Sequence, residues 1–180
     1  KALHQGEWKK SIGFGLIDTK VLLVGLGRIG CKVADLLAPF GAQIYAFDPY
    51  IDAANLAAHV TPVTSLDEGL AIADVVSLRA SGADVILGKA QFEQMQDGVV
   101  LLNCARGELV DEQALVSALD SGKVGAAWFD AFWKEPYTGP LTQYENVLLT
   151  PHVGTYTEQC RRSMETAAVS NLLRDLGLQQ

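Results

Sequence analysis

A glycine-rich segment follows the first apolar stretch of the chain and precedes a helical pattern: Gly25-Leu26-Gly27-Arg28-Ile29-Gly30. In a G-x-G-x-x-G turn the first glycine permits a tight turn, the second lets the backbone approach a pyrophosphate, and the third lets the helix pack close to the strand. The amino end of the helix then faces the anion, and Arg28 could add a cationic contact. Such glycines also serve plain packing, so the segment alone only suggests a nucleotide.

Asp48 ends the next predicted strand, 18 positions after Gly30. An acidic side chain at this place can accept hydrogen bonds from the adenosine ribose hydroxyls, and it would repel a 2′-phosphate. The glycine segment and Asp48 therefore predict NAD in preference to NADP, although Asp48-Pro49-Tyr50 also has the composition of a turn. Methyltransferases that bind adenosylmethionine share a similar glycine loop and acid, so that cofactor stays open at this point.

Three further segments each open where a predicted strand ends: Asn103–Asp111, Trp128–Pro136 and Leu149–Gly154. Doubly wound folds bind their ligands at the carboxyl edge of the sheet, so these segments are expected to meet there. Together with the glycine segment and Asp48 they resemble the D-isomer-specific 2-hydroxyacid dehydrogenase family, which includes phosphoglycerate, glycerate, formate and D-lactate dehydrogenases. The resemblance runs from about Gly6 to Leu176. It implies an oxidoreductase that transfers hydride between NAD(H) and C2 of a D-2-hydroxy acid or 2-keto acid.

The resemblance puts the family's catalytic arginine at Arg106, its glutamate at Glu135 and its acid/base histidine at His152. A guanidinium such as that of Arg106 can hold the substrate carboxylate and polarise the adjacent carbonyl. His152 can protonate the carbonyl oxygen or take the hydroxyl proton, because imidazole titrates near neutral pH. Glu135 would hold the ring and favour its protonated form.

The resemblance also implies that Asp130 lies near the nicotinamide and its amide, and that Cys104-Ala105 and residues near Leu78 line the cofactor cleft. In the family, the position of Cys104 belongs to a small residue that makes backbone contacts and not to a nucleophile. The residues expected to bind the cofactor are Gly25, Gly27, Arg28, Ile29, Gly30, Asp48, Leu78, Arg79, Cys104, Ala105, Asp130, His152 and Gly154.

One loop departs from the family pattern. After the fourth strand the family usually carries Ser-Leu-His-x-Pro and then threonines, whereas this chain has Ser77-Leu78-Arg79-Ala80-Ser81-Gly82-Ala83-Asp84. Arg79 could contact an anionic substrate, or it could be a surface residue that ends a strand. Phe132-Trp133 adds bulk beside the expected site. Both features leave the identity of the hydroxy acid open.

From Lys20 onward, short runs of Val, Leu and Ile alternate with helical stretches. This alternation predicts an α/β protein, a Rossmann-type doubly wound parallel sheet with helices on both faces in three layers. The predicted strands are Val21–Val24, Gln43–Phe47, Val60–Val63, Val75–Leu78, Val99–Leu102, Gly125–Trp128 and Val147–Leu149. The predicted helices are Ala2–Lys9, Ile29–Leu37, Leu66–Ala71, Gly88–Met95, Asp111–Leu119 and Thr155–Leu176, the last opening on a Thr155/Glu158 capping box.

Composition restricts the possible partners. A formal charge of −7 gives no positive field for nucleic acid, and no apolar run approaches the roughly 20 residues that span a bilayer. The three cysteines, Cys31, Cys104 and Cys160, suggest neither a disulfide framework nor a metal cluster, and a reducing cytoplasm suits them.

The domain expectation is an arm or linker at 1–19 followed by an NAD-binding domain at 20–180. Family members build their substrate domain from the beginning and the extreme end of the chain, so that domain is expected to be absent here, and the isolated domain is expected to bind NAD with little turnover. The resemblance also implies a homodimer through this domain, for which Trp8, Phe14 and Leu16 are candidate contacts. A corepressor-like module that senses NAD is the alternative function.

Overall fold

The computed structural model describes residues 3–8, 10, 12–51 and 56–178. Its strands are β1 (Lys20–Val24), β2 (Gln43–Phe47), β3 (Val60–Pro62), β4 (Val75–Leu78), β5 (Val99–Asn103), β6 (Val124–Phe129) and β7 (Val147–Leu149). They form one sheet in the order β3-β2-β1-β4-β5-β6-β7, and every neighbouring pair is parallel. The predicted parallel sheet is confirmed.

The α-helices of the described residues are α1 (Arg28–Leu37), α2 (Leu66–Ile72), α3 (Lys89–Gln94), α4 (Glu112–Asp120) and α5 (Glu158–Asp175). Successive side chains of a strand point to opposite faces of the sheet, and β1 shows the result. Leu22 belongs to the apolar core that also contains buried residues of α2, α3 and α4. Leu23 belongs to a second core, with Ala34 of α1. Helices therefore cover both faces, as the Rossmann-type prediction requires.

The strand order reverses between β1 and β4, since the chain moves outward from β1 to β3 on one side and from β4 to β7 on the other. In open α/β sheets a crevice forms at such a switch point, outside the carboxyl ends of the strands. The glycine turn after β1 and the Arg79 loop after β4 lie on its two sides.

The long helix begins later than its sequence pattern predicts. Thr157, and not Thr155, is its N-cap, because the Thr157 hydroxyl accepts a hydrogen bond from the backbone N–H of Cys160 at 3.1 Å. The preceding residues form a separate turn, in which the backbone N–H of Tyr156 donates to the carbonyl of Val153 at 2.9 Å, and Thr157 itself has extended backbone angles.

The predicted helix at the start of the chain is also wrong in extent. A single 3₁₀ turn, Leu3–Gln5, forms there, and Gly6 ends it with a φ of 78°. Ala2 and Lys9, the predicted ends of that helix, lie outside the described residues. Nowhere in the described ranges does a helix reach the length and apolar character that a membrane crossing needs.

Candidate active site

Each of the three glycines in the turn is explained by the space around it. Gly25 has a φ of 95°, and a Cβ there would lie 2.5 Å from the backbone nitrogen of Ala80. A Cβ on Gly30 would overlap the carbonyl oxygen of Gly25, whereas a Cβ on Gly27 would meet no atom of the protein within 4 Å. Gly25 and Gly30 thus permit close packing, and Gly27 leaves an open approach to the backbone.

A cleft of about 750 Å³ opens above this turn, between Gly27, Asp48 and the loop that follows Arg79. Gly27 is the N-cap of α1 and offers no side chain to the first N–H groups of the helix, so they can face an anion. The carboxylate of Asp48 accepts hydrogen bonds from the backbone N–H groups of Leu26 at 2.8 Å and Tyr50 at 2.9 Å. These bonds fix Asp48 at the edge of the cleft. The open backbone at Gly27 and the free N–H groups of α1 fit the diphosphate of NAD. The fixed carboxylate of Asp48 fits the adenosine part.

The loop of Arg106 is shaped by the fully buried Asn103. The Asn103 side chain accepts a hydrogen bond from the backbone N–H of Ala105 at 3.1 Å and donates one to the carbonyl of Arg106 at 2.8 Å. The Arg106 guanidinium is exposed at the surface of this loop. The next residue, Gly107, lies so close to the backbone of Phe132 that a Cβ would overlap it. Gly107 therefore lets the Arg106 loop touch the segment that leads to Glu135.

Glu135 and His152 form a direct pair. Nδ1 of His152 lies 3.0 Å and 3.1 Å from the two carboxylate oxygens of Glu135. The backbone N–H of Phe132 donates a further hydrogen bond to Glu135 at 3.2 Å. The hydrogen bond from His152, helped by that of Phe132, holds the pKa of Glu135 below its usual range. Both side chains are about half exposed, so a substrate can reach them.

Asp130 anchors the turn that carries His152. Its carboxylate is almost completely buried and accepts hydrogen bonds from the hydroxyl of Thr150 at 2.6 Å, the N–H of Val153 at 2.9 Å and the N–H of Gly154 at 3.0 Å. Burial raises the pKa of Asp130, but the three hydrogen bonds outweigh burial and the pKa is lowered. His152 itself has a φ of 53°, a strained value for a residue with a side chain. The Asp130 contacts on both sides of His152 hold that conformation.

The aromatic residues near Glu135 pack beneath the loop. The Trp133 indole donates a hydrogen bond to the carbonyl of Val110 at 2.7 Å. The Phe132 ring is buried and stacks on Tyr137 with 4.6 Å between ring centroids. The Phe132 and Trp133 side chains, which the sequence places beside the site, therefore mostly pack against the protein and support the Glu135 loop.

Arg79 is half-buried and not a free surface residue. Its Nε donates to the hydroxyl of Ser77 at 3.1 Å, and its Nη1 lies 2.7 Å from Sγ of Cys104. Burial raises the pKa of the Cys104 thiol, although the Arg79 charge acts in the opposite direction. With Ile29, Ala105 and Arg106 these two residues line a recess of about 240 Å³.

Leu78 does not line the cleft. It lies on β4, a strand that is buried on both faces, and its side chain is completely enclosed in the core shared with α2, α3 and α4. The sequence analysis expected both Leu78 and Arg79 to line the cleft, and of these two residues Arg79 does so.

Sequence reasoning assigned no role to Asn103, Gly107, Trp128 or Thr150. Asn103 ends a strand and precedes a turn, and asparagine side chains in this setting often bind the backbone of their own loop. The position of Asn103 in the sequence could therefore have predicted its role. The chain of hydrogen bonds from Trp128 Nε1 to Thr150 Oγ1 at 2.9 Å, and from Thr150 to Asp130, joins residues about 20 positions apart and has no local signal.

Four features occur together in this chain: the strand order of the parallel sheet, a glycine turn open to an anion, an acid at the end of β2 and a carboxylate-bound histidine after β7. Together they define the nucleotide-binding domain of a nicotinamide-dependent dehydrogenase. The chain belongs to the D-isomer specific 2-hydroxyacid dehydrogenase family, whose NAD binding domain matches residues 1–154. It is thus an NAD-binding domain of the family, and the methyltransferase alternative is excluded.

Two curated relatives and one solved structure illustrate the match. D-3-phosphoglycerate dehydrogenase of Mycobacterium tuberculosis is 39% identical over 166 residues, which cover 89% of this chain and 31% of that protein. The 4-methyl-2-oxopentanoate reductase A of Aspergillus oryzae is 40% identical over 177 residues, covering 95% of this chain and 54% of that protein. A D-isomer specific 2-hydroxyacid dehydrogenase from Lactobacillus delbrueckii ssp. bulgaricus, in its NAD-complexed form, superposes with a TM-score of 0.84 at 30% identity, covering 96% of this chain and 60% of that one. The chain spans about a third to about a half of the curated relatives.

Proposed function

We propose that this chain is the nucleotide-binding half of an enzyme that interconverts a D-2-hydroxy acid and the corresponding 2-keto acid. The observation that carries the proposal is the pair of hydrogen-bond distances between His152 Nδ1 and the Glu135 carboxylate, 3.0 Å and 3.1 Å, on a turn that Asp130 fixes. A carboxylate can only accept, so Nδ1 of His152 carries the hydrogen. Nε2 is then the nitrogen that exchanges a proton with the substrate oxygen.

The cofactor, when bound, would supply the hydride as NADH in the reductive direction and accept it as NAD⁺ in the oxidative direction. In the reductive direction Nε2–H of His152 donates its proton to the carbonyl oxygen, and the Glu135 carboxylate stabilises the ring while it is charged. The exposed guanidinium of Arg106 binds the substrate carboxylate and orients the carbonyl carbon. In the oxidative direction Nε2 takes the hydroxyl proton.

The cofactor is assigned to the cleft above the glycine turn. Gly25, Gly27, Arg28, Ile29 and Gly30 would hold the diphosphate, and Asp48 would accept hydrogen bonds from the ribose hydroxyls. The nicotinamide side would be held by Arg79, Cys104, Ala105, Asp130, His152 and Gly154. Titration calorimetry of this chain with NAD and with NADP tests the assignment: NAD is expected to bind more tightly, and a preference for NADP would overturn the role of Asp48.

Catalysis is tested on the complete protein that contains this chain, with a panel of D-2-hydroxy and 2-keto acids. Arg106→Ala is expected to lower kcat/KM on the order of 100-fold, because two charge-assisted hydrogen bonds are lost. The isolated chain is expected to bind NAD with little turnover, since its catalytic side chains are open to water. If the complete protein binds NAD and reduces no acid in the panel, the corepressor-like alternative replaces the enzyme.

Self-association and location are further parts of the proposal. Trp8 and Phe14 are 79% and 69% exposed, and Leu16 is half-buried, so Trp8 and Phe14 are the better candidates for a contact between two copies. Sedimentation equilibrium of the chain and of Trp8→Ala would show whether a homodimer depends on this residue. A cytoplasmic location is tested by cell fractionation.

A further inference from the structure

The hydroxyl of Tyr137 fixes the segment that carries Glu135 to the start of α4. It donates a hydrogen bond to the carboxylate of Glu112, the first residue of α4, at 2.6 Å. It accepts a second one from the backbone N–H of Leu141 at 3.1 Å. Burial and the bond to Glu112 raise the pKa of the Tyr137 phenol, so the hydroxyl keeps its hydrogen at neutral pH and stays the donor. A single hydroxyl thus joins the Glu135 segment to α4 and to the short turn around Leu141.

The ring of Tyr137 contacts a residue that binds the Glu135 carboxylate. It stacks on the buried ring of Phe132 with 4.6 Å between the centroids and 19° between the planes. The backbone N–H of Phe132 in turn donates to Glu135 at 3.2 Å. A Cβ on Gly139 would overlap the Tyr137 ring, so this glycine lets the chain pass closely over the ring. Tyr137 therefore acts on Glu135 in two ways, along the chain through Pro136 and across space through Phe132.

The start of α4 lies shortly after the loop that carries Arg106. The Trp133 indole binds the carbonyl of Val110 at 2.7 Å, which is a second bond between the Glu135 segment and this part of the chain. Gly107 comes into close contact with the same segment through its backbone. The loop that would bind the substrate carboxylate and the segment that holds the acid/base pair are thus joined by these two contacts and by the Tyr137 bond. Of these contacts, the Tyr137 bond has side chains at both ends, so a substitution can remove it and leave the backbone unchanged.

We propose that Tyr137 is a positioning residue for the acid/base pair of the site. Its bond to Glu112 holds the Glu135 carboxylate against the His152 ring. The consequence for catalysis rests on the proposed function, whereas the consequence for the pair itself does not. Glu135 and His152 are both about half exposed, and an exposed ion pair gains little when two free side chains must be ordered to form it. An anchored Glu135 segment removes part of this cost, so the pair keeps one geometry.

Tyr137→Phe tests the proposal, because it keeps the ring and its stacking on Phe132 and removes only the hydroxyl. The readout is the pKa of Glu135, followed by NMR titration of its carboxyl carbon in this chain. In the native chain the hydrogen bonds from His152 and Phe132 hold the pKa of Glu135 below its usual range. A loosened segment weakens both bonds, so the pKa of Glu135 is expected to rise toward its usual value in the variant.

Tyr144→Phe is the matched control. The Tyr144 hydroxyl donates to Asp120, the last residue of α4, at 2.7 Å, so it makes the same kind of bond at the opposite end of the same helix. This variant is expected to leave the pKa of Glu135 unchanged. The proposal is overturned if Tyr137→Phe leaves that pKa unchanged, or if Tyr144→Phe raises it by as much.

Substitutions of Glu112 separate the hydrogen bond from a general loss of stability. Glu112→Gln keeps an oxygen that accepts from Tyr137 and should keep the pKa of Glu135 low, whereas Glu112→Ala should raise it as Tyr137→Phe does. The double variant of Glu112→Ala and Tyr137→Phe should raise it no further than either single variant, since both remove the same bond. A further rise in the double variant would show that the two side chains act independently and would contradict the proposal.

Catalysis is measured in the complete protein that contains this chain, with NADH and the 2-keto acid that it reduces best. Tyr137→Phe is expected to lower kcat about 10-fold, because a small displacement of the acid/base pair slows proton transfer. The KM for NADH should stay unchanged, since Tyr137 does not line the cleft above the glycine turn. An unchanged kcat would overturn the role in catalysis. If the native protein reduces no 2-keto acid, the proposed function fails, and the pKa of Glu135 in this chain still decides whether Tyr137 positions the pair.

Discussion

Replacing Thr150 by valine would remove a hydroxyl that joins two hydrogen bonds and keep the size of the side chain. Trp128 Nε1 can only donate, so the Thr150 oxygen accepts from Trp128 and must direct its own proton to Asp130. The first bond is neutral and the second is charge-assisted. Such bonds stabilise a protein by about 0.5–1.5 and about 1.5–3 kcal/mol respectively.

Water can reach Thr150 and Trp128, which are both half-buried, and it will replace part of what is lost. We therefore expect Thr150→Val to lower the free energy of unfolding by about 2–3 kcal/mol, near the lower end of the summed bond values. Urea denaturation of the chain at neutral pH measures the change. In the complete protein kcat should also fall, because the turn that holds His152 loses one of its three anchors on Asp130.

Two variants control for the substitution itself. Thr150→Ser keeps the hydroxyl and should restore most of the stability. Thr61→Val makes the same exchange at an exposed position of β3 and should change the free energy of unfolding by no more than about 0.5 kcal/mol. If Thr150→Val is as stable as Thr61→Val, the hydroxyl does not hold the turn and the reasoning is wrong.

Gly27→Ala should leave folding within about 1 kcal/mol of the native chain, as expected for an N-cap change without a clash, yet weaken NAD binding about 10-fold or more in calorimetry. Gly107→Ala should destabilise the chain by about 2 kcal/mol or more, because its Cβ overlaps the Phe132 backbone; an unchanged melting temperature would contradict this. Asp48→Asn should raise the affinity for NADP relative to NAD, measured by the same titrations. The lowered pKa of Asp130 means that its carboxylate stabilises the fold above its unfolded pKa of about 3.9 and loses this effect as the pH falls through the folded value. The difference in unfolding free energy between the native chain and Asp130→Asn should therefore shrink as the pH falls from about 6 to about 3. A difference that stays constant over this range would refute the prediction.

Local patterns were sufficient for most of the sheet. The bounds of β2, β4 and β7 agree with the prediction, because short runs of β-branched and apolar residues between turns are typical of buried parallel strands. The glycine turn was equally clear from its spacing after an apolar run, although the contact that requires Gly25 comes from Ala80 beyond β4 and Gly27 meets no atom of the protein within 4 Å. The family resemblance supplied Glu135 and His152, which the structure brings together.

Tertiary contacts decided the features that the sequence did not show. The N-cap of α5 lies two residues later than the pattern predicts, after a turn whose Val153 and Gly154 N–H groups bind Asp130, more than 20 positions away. Leu78 was misplaced because every residue of β4 is buried, so no alternation marks the side chain that faces the cleft. Arg79 owes its direction to Cys104, 25 positions further on.

The pairing of β1 with β4 has a consequence for the order of events in folding. It matches Val21 with Val75, so 54 residues must close into a loop before the two halves of the cofactor cleft exist. Long-range pairing of this kind is slow to form. The Gly25 turn and the Arg79 loop meet only afterwards, so NAD has no site on the unfolded chain or on an early intermediate. The cofactor is then expected to slow unfolding and raise the melting temperature by mass action, while it leaves the folding rate unchanged.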